Sequence, residues 1–244
     1  MSIKKIKVSA VSYTNTSPLM YGILRDSALL EQIDLSLDIP SLCAQKLIDG
    51  QVDLGLVPVA ALLDIPNYEI VSDYCIGSIG QVNSVFIFSE KPLESVKTIR
   101  LDKQSRTSNR LAQVLLKNYW KLEVQFVQEG PADAFVEIGD RTFGKTHTQA
   151  YYYDLGQAWK DFSGLPFAYA VWAANKPIPQ TFMQSFDQAQ RIGLENPDAV
   201  LSTLPVRTDF DIRKYLTHFI QYPLDPAKRE AIRLFHELIG TLDQ

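Results

Sequence analysis

Basic residues do not predominate in this chain: 24 Lys and Arg stand against 28 Asp and Glu, a formal net charge of −4. With no basic cluster, general nucleic-acid binding is excluded. Only two cysteines occur, Cys43 and Cys75, too few for a disulfide framework. Both sit in apolar patterns, which predicts buried free thiols in a reducing compartment. No apolar run approaches the length of a membrane span. The opening, Met-Ser-Ile-Lys-Lys-Ile-Lys-Val, enters a strand pattern at once with no apolar signal segment, so a cytoplasmic location is expected.

Chemical motifs are missing as well. There is no P-loop and no Gly-rich dinucleotide turn, hence no anchor for a nucleotide cofactor. No Gly-x-Ser-x-Gly elbow appears. His147, His218 and His236 are scattered, with neither cysteine at a ligand spacing from them, which predicts no metal site. Repeats of solenoid length and low-complexity tracts are also lacking.

What is present is ordinary globular composition, 46% hydrophobic and 21% charged over 244 residues, enough for one large α/β domain or two smaller ones. Val8-Ser-Ala-Val leads into Ser12-Tyr-Thr-Asn-Thr16, and Ser17-Pro18 then opens a helical pattern. Ser17 suits the N-cap and Pro18 the first turn. In an open α/β sheet, ligands bind beyond the carboxyl ends of strands, where a helix start offers free N–H groups to an anion. Thr14, Asn15 and Thr16 then border a pocket; equally, they suit an ordinary strand-to-helix turn.

Ile33–Ile39 alternates as a half-exposed strand, Pro40-Ser41 opens a helix closed by Gly50, and Val52–Val57 is a short apolar strand. The order β-α-β-α-β favours a mostly parallel sheet. Farther on come strands within Tyr68–Ser89, with a turn around Gly77–Gly80, and at Thr98–Asp102. The polar loop Gln104–Ser108 follows, then a helix from Asn109. This repeats the opening arrangement of strand, hydroxyl-rich loop and helix start. Two such turns predict two lobes facing each other across a cleft.

Ser105, Arg106, Thr107 and Ser108 then line the second wall, Arg106 either as a charged contact or as a solvent-facing loop residue. Asp140 falls at the end of the strand 134–140, facing the cleft. The aromatic segment 141–161 reads as a loop and short helix covering the second lobe. Pro166–Trp172 reads as a strand returning to the first lobe, and the remainder is helical almost to the end. A cleft of amide, hydroxyl and backbone N–H groups suits a small anion.

Taken together, Ser12–Leu19, Gly50–Pro58, Ser84–Ser89, Ser105–Ser108, Glu137–Asp140, Tyr153–Gly156 and Gly164–Trp172 resemble the menaquinone-biosynthesis chorismate dehydratase family. The resemblance runs from the first strand to about Trp172. It implies an α/β, two-lobe periplasmic-binding-protein-like fold of type II with a ligand cleft between the lobes. Residues 1–88 and 173–244 would form the first lobe and 89–172 the second. It implies a cofactor-free cytoplasmic lyase of the futalosine route, which removes water from chorismate to give 3-[(1-carboxyvinyl)oxy]benzoate.

Asn15 and Ser84 match the family's active-site asparagine and serine; Asn83 stands where many members carry a basic residue. On this reading Ser84 and Ser105–Ser108 receive the two carboxylates of chorismate, and Asn15 orients the ring or the departing hydroxyl. Asp140 is the one side-chain base in these loops, and a substrate carboxylate is the alternative proton acceptor. Two rival readings share the fold: a small-carboxylate binding protein without catalysis, and the sister enzyme acting on cyclic dehypoxanthine futalosine. The first loop of that enzyme reads Ser-Pro-Cys-Pro-Asn-Asp, unlike Thr14–Pro18. An interaction protein is a third reading, for which two polar loops at helix starts are superfluous.

Overall fold

The computed structural model describes residues 5–242; residues 1–4 and 243–244, assigned above to the ends of the first lobe, lie outside the described residues. In chain order the elements are β1 (Ile6–Val11), α1 (Ser17–Ile23), α2 (Ser27–Gln32), β2 (Ile33–Asp38), α3 (Pro40–Ile48), β3 (Leu54–Pro58), β4 (Glu69–Ser78) and β5 (Val85–Ser89). There follow β6 (Thr98–Arg100), α4 (Arg106–Leu115), β7 (Gln125–Val127), β8 (Ala134–Ile138), β9 (Tyr151–Asp154) and α5 (Leu155–Ser163). The chain closes with β10 (Phe167–Ala174), α6 (Gln180–Glu195), α7 (Pro197–Leu201), α8 (Ile212–Lys214), β11 (Gln221–Pro223) and α9 (Pro226–Gly240). Among the described residues no helix is long and apolar enough to cross a membrane.

Two sheets result, one of six strands ordered β11-β4-β10-β3-β1-β2 and one of five ordered β7-β6-β8-β5-β9. The first sheet is mixed, not mostly parallel as expected. β1 runs parallel to β2 and β3, whereas β10 is antiparallel to both β3 and β4, and β11 is antiparallel to β4. The reason is topological: β4 leaves the first sheet at its cleft end, and β10 enters there on its return, so the two must run in opposite senses.

Both crossings shift from their sequence-based positions. A division at 88/89 and at 172/173 would cut β5 and β10, but hydrogen bonding pairs the whole of β5 with β8 and β9 and the whole of β10 with β3 and β4. A ladder is not shared between sheets, so the chain crosses in the irregular segments 79–84 and 164–166. All eight residues of β10 are buried, as a strand covered on both faces requires.

Several local expectations are corrected. Residues Thr14–Thr16 coil into a 3-10 turn that runs straight into α1, so Thr16 occupies the cap and Ser17 is already helical. α4 begins at Arg106, three residues earlier than expected, because Ser105 Oγ accepts from Ser108 N at 3.0 Å and caps it. Tyr151–Asp154 is an edge strand, not loop, and the helical stretch after Asp211 ends in β11. Cys43 and Cys75 are buried free thiols, pushed up to about 11 and about 12 by burial.

α1 is held against α6 backbone to backbone. A Cβ on Gly22 would sit 1.9 Å from Ala189 O, and one on Gly193 would sit 1.9 Å from Pro18 O. This packing seats the Thr14–Thr16 turn at the end of β1.

Candidate active site

Between the two sheets, at the chain crossings, lies a cavity of about 50 Å³. Asn15 lines it from the turn after β1, Ser84 from the residue before β5, and Ser105, Thr107 and Ser108 from the start of α4. The structure thus brings together five of the nine residues singled out from sequence. Tyr13, Tyr169, Ile76 and Val82 complete much of the wall. No carboxylate, imidazole, ammonium or guanidinium group belongs to this lining.

The other four residues border the cavity without lining it. Arg106 donates to Asp64 Oδ2 at 3.2 Å and to Gln45 Oε1 at 2.8 Å, at the rim between the lobes. The helical step of roughly 100° per residue turns it away from the face bearing Thr107 and Ser108. Asp140 Oδ2 accepts from the Thr14 hydroxyl at 2.8 Å, and both its oxygens lie 3.1 Å from Thr14 N. Asp140 and Thr14 therefore face one another across the lobes, where substrate contacts were expected. Burial pushes the Asp140 carboxyl up while the Thr14 bonds pull it down. Thr16 is buried beside the cavity, where its hydroxyl donates to Asn15 Oδ1 at 3.3 Å.

More bonds close the cleft. Thr107 Oγ1 accepts from Ala60 N at 3.1 Å, and the Tyr13 hydroxyl donates to Gln104 Oε1. Gly139, at φ +65°, lies under the Tyr13 ring, which a Cβ would meet at 2.7 Å. The segment bearing Ser84 is fixed from behind: Asp154, the cap of α5, accepts from Val82 N at 3.1 Å, Asn83 N at 2.7 Å, Gly156 N at 2.9 Å and Gln157 N at 3.0 Å. Burial nonetheless pushes this carboxyl up to about 6. Asn83 adopts φ +57°, a conformation asparagine tolerates better than most residues.

Besides Tyr13, three further tyrosines were not singled out from sequence. The Tyr169 hydroxyl is 3.3 Å from Ser78 Oγ, Tyr215 donates to Ser84 Oγ at 2.8 Å, and Tyr222 donates to Asn15 O at 3.1 Å. Burial raises all three phenols above their ordinary range, so they remain protonated donors. Tyr169 had a signal, being the polar tip in an otherwise apolar strand; the helical tail offered none for Tyr215 or Tyr222. His147 is exposed on a separate groove of about 690 Å³, shared with Asn83, Arg207 and Phe210. His236 lies on α9, with Nε2 2.8 Å from Val59 O.

Two mixed sheets with a cavity where the chain crosses between them define a periplasmic-binding-protein-like fold. Protein AF1704 of Archaeoglobus fulgidus superposes with a TM-score of 0.75 at 16% identity, covering 97% of each chain. The Candida albicans CA3427 product, described as having the generic periplasmic binding protein fold, gives 0.69 at 15% identity over 99% of this chain and 92% of its own. The Escherichia coli aliphatic sulphonate binding protein SsuA gives 0.59 at 15% identity over 96% and 92%.

Sequence comparison is more specific. A family model described as menaquinone biosynthesis matches residues 6–240, and the chain belongs to that family. The chorismate dehydratase of Thermus thermophilus is 27% identical over 262 residues, spanning 93% of each chain.

Proposed function

We propose that this protein is a chorismate dehydratase, a hydro-lyase that converts chorismate to 3-[(1-carboxyvinyl)oxy]benzoate and water. One observation carries the reading: the cavity at the lobe junction offers an amide, hydroxyls and a helix start, with no charged side chain in its lining. Chorismate brings two carboxylates of its own. The ring proton beside the ether oxygen and the hydroxyl on the neighbouring carbon leave as water, and the ring becomes aromatic. Much of the driving force therefore belongs to the substrate, leaving geometry, exclusion of water and stabilisation of displaced charge to the protein.

In this reading a carboxylate of the substrate takes the ring proton, since Asp140 is engaged by Thr14. Backbone N–H groups at the start of α4, with Ser105 and Ser108, receive a carboxylate. Asn15 and Ser84 face the ring and the departing hydroxyl. A cytoplasmic setting belongs to the reading and suits two buried free thiols.

The test is incubation of the purified protein with chorismate, without added metal or nucleotide, followed by a search for a new aromatic acid. Stoichiometric formation of the enol ether of 3-hydroxybenzoate supports the reading. Chorismate that binds but stays unchanged at high protein concentration replaces it with the binding-protein alternative.

A further inference from the structure

Tyr215 opens the π-helical turn Tyr215–Phe219 after α8, far in sequence from both polar loops. Its side chain is fully buried. The ring packs edge-on against Phe143 and Phe210, with centroids 5.1 and 5.4 Å away. Its hydroxyl donates to Ser84 Oγ at 2.8 Å, and the Asn15 amide is close enough to bear on the same hydroxyl.

A phenol carries a single hydrogen. Once it is given to Ser84 Oγ, the serine is an acceptor on that side, and its own hydrogen must point elsewhere. Among the described residues Ser84 Oγ makes no other hydrogen bond, and the cavity it lines is the open direction. Each donor in such a chain also polarises the next.

We propose that Tyr215 is a positioning residue for the dehydration: it holds the Ser84 hydroxyl as a donor aimed into the cavity, in register with the Asn15 amide. The assignment rests on the chorismate reading. The serine proton then meets the departing hydroxyl, or the charge that develops on it, without having to reorient.

A double-mutant cycle of Tyr215→Phe and Ser84→Ala tests this, read by steady-state turnover of chorismate and separately by urea denaturation. Tyr215→Phe lowers kcat about 10- to 100-fold, less than the roughly 100- to 1,000-fold of a preorganised donor removed outright because the serine remains, while KM stays within about threefold of wild type. Ser84→Ala loses at least as much, and the double variant is no slower than Ser84→Ala, because without the serine there is nothing for the tyrosine to aim. Losses that multiply independently overturn the proposal, as does wild-type kcat in Tyr215→Phe.

A packing role alone would lower stability and raise KM without this non-additivity. Denaturation reads the 84–215 coupling without substrate. An intact coupling in a protein that leaves chorismate unchanged overturns the chorismate reading and the assignment with it, whereas normal turnover without coupling overturns the assignment alone. Should Tyr215→Phe fail to fold, 3-fluorotyrosine at position 215, a stronger donor of nearly the same shape, raises kcat; an unchanged kcat there refutes the proposal.

Discussion

At Gly139 the backbone takes φ +65° beneath the ring of Tyr13 from the other lobe. Alanine there costs on the order of 1 kcal/mol for the left-handed conformation, and its Cβ holds the lobes apart. Gly139→Ala is expected to lower Tm by only a few degrees but kcat/KM by more than about tenfold. Equal kcat/KM in a folded variant would show that the Tyr13 contact has no part in assembling the site. Asp140 makes the complementary contact to Thr14. Asp140→Asn leaves one carbonyl oxygen for two donors, so KM rises and kcat falls by less than about 100-fold. A loss of roughly 100- to 10,000-fold in kcat with binding intact is the size of a removed general base and would assign proton abstraction to Asp140 itself.

The residue scale is also where sequence reading succeeds unevenly. Asn15, Ser84, Ser105, Thr107 and Ser108 were legible because polar residues at strand ends and helix starts have few other places to be satisfied. Arg106 misled, because one step around α4 separates a cavity wall from a rim ion pair. Tyr215 was illegible: helical spacing in the tail predicts that its ring is buried, not where its hydroxyl ends.

Among elements, α1 and α6 approach so closely that a methyl group on either glycine meets a carbonyl oxygen. Gly22→Ala or Gly193→Ala is expected to cost about 3 kcal/mol or more, measured as a lower urea midpoint with the slope unchanged. α5 and the crossing before β5 share Asp154. Its folded pKa of about 6 stands above the ordinary value near 3.9. Its contribution to stability is therefore greatest below about pH 4 and is lost as pH rises through about 6. The stability gap between wild type and Asp154→Asn should widen as pH is lowered from 7 to 4. A gap that narrows would show that the four N–H bonds outweigh burial. Strand positions were readable from apolar runs, but not sheet membership: alternation says which face is buried, never which ladder a strand joins. Hence β5 and β10 were divided at the wrong residues, and the edge strand β9, with its half-exposed tyrosines, passed for a loop.

For the whole molecule, about 50 Å³ is far below the roughly 300–1,000 Å³ of ordinary small-molecule sites, so a ten-carbon dicarboxylate enters only when the lobes part. The bonds resisting this include Thr14 to Asp140, Ala60 to Thr107 and Arg106 to Asp64. In small-angle scattering, Asp140→Asn is expected to show a larger radius of gyration than wild type, and chorismate is expected to restore the compact value. A radius indifferent to both would locate the opening in local loops.

β10 lies between β3 and β4, which has a consequence for synthesis. A chain emerging from the ribosome carries the facing edges of those two early strands unpaired until Ala174 has been made, and such edges invite intermolecular pairing. The strands Val85 to Asp154, by contrast, form a complete sheet among themselves. That inserted sheet is free to close first during translation, and the waiting edges of β3 and β4 are where a stalled or truncated chain aggregates.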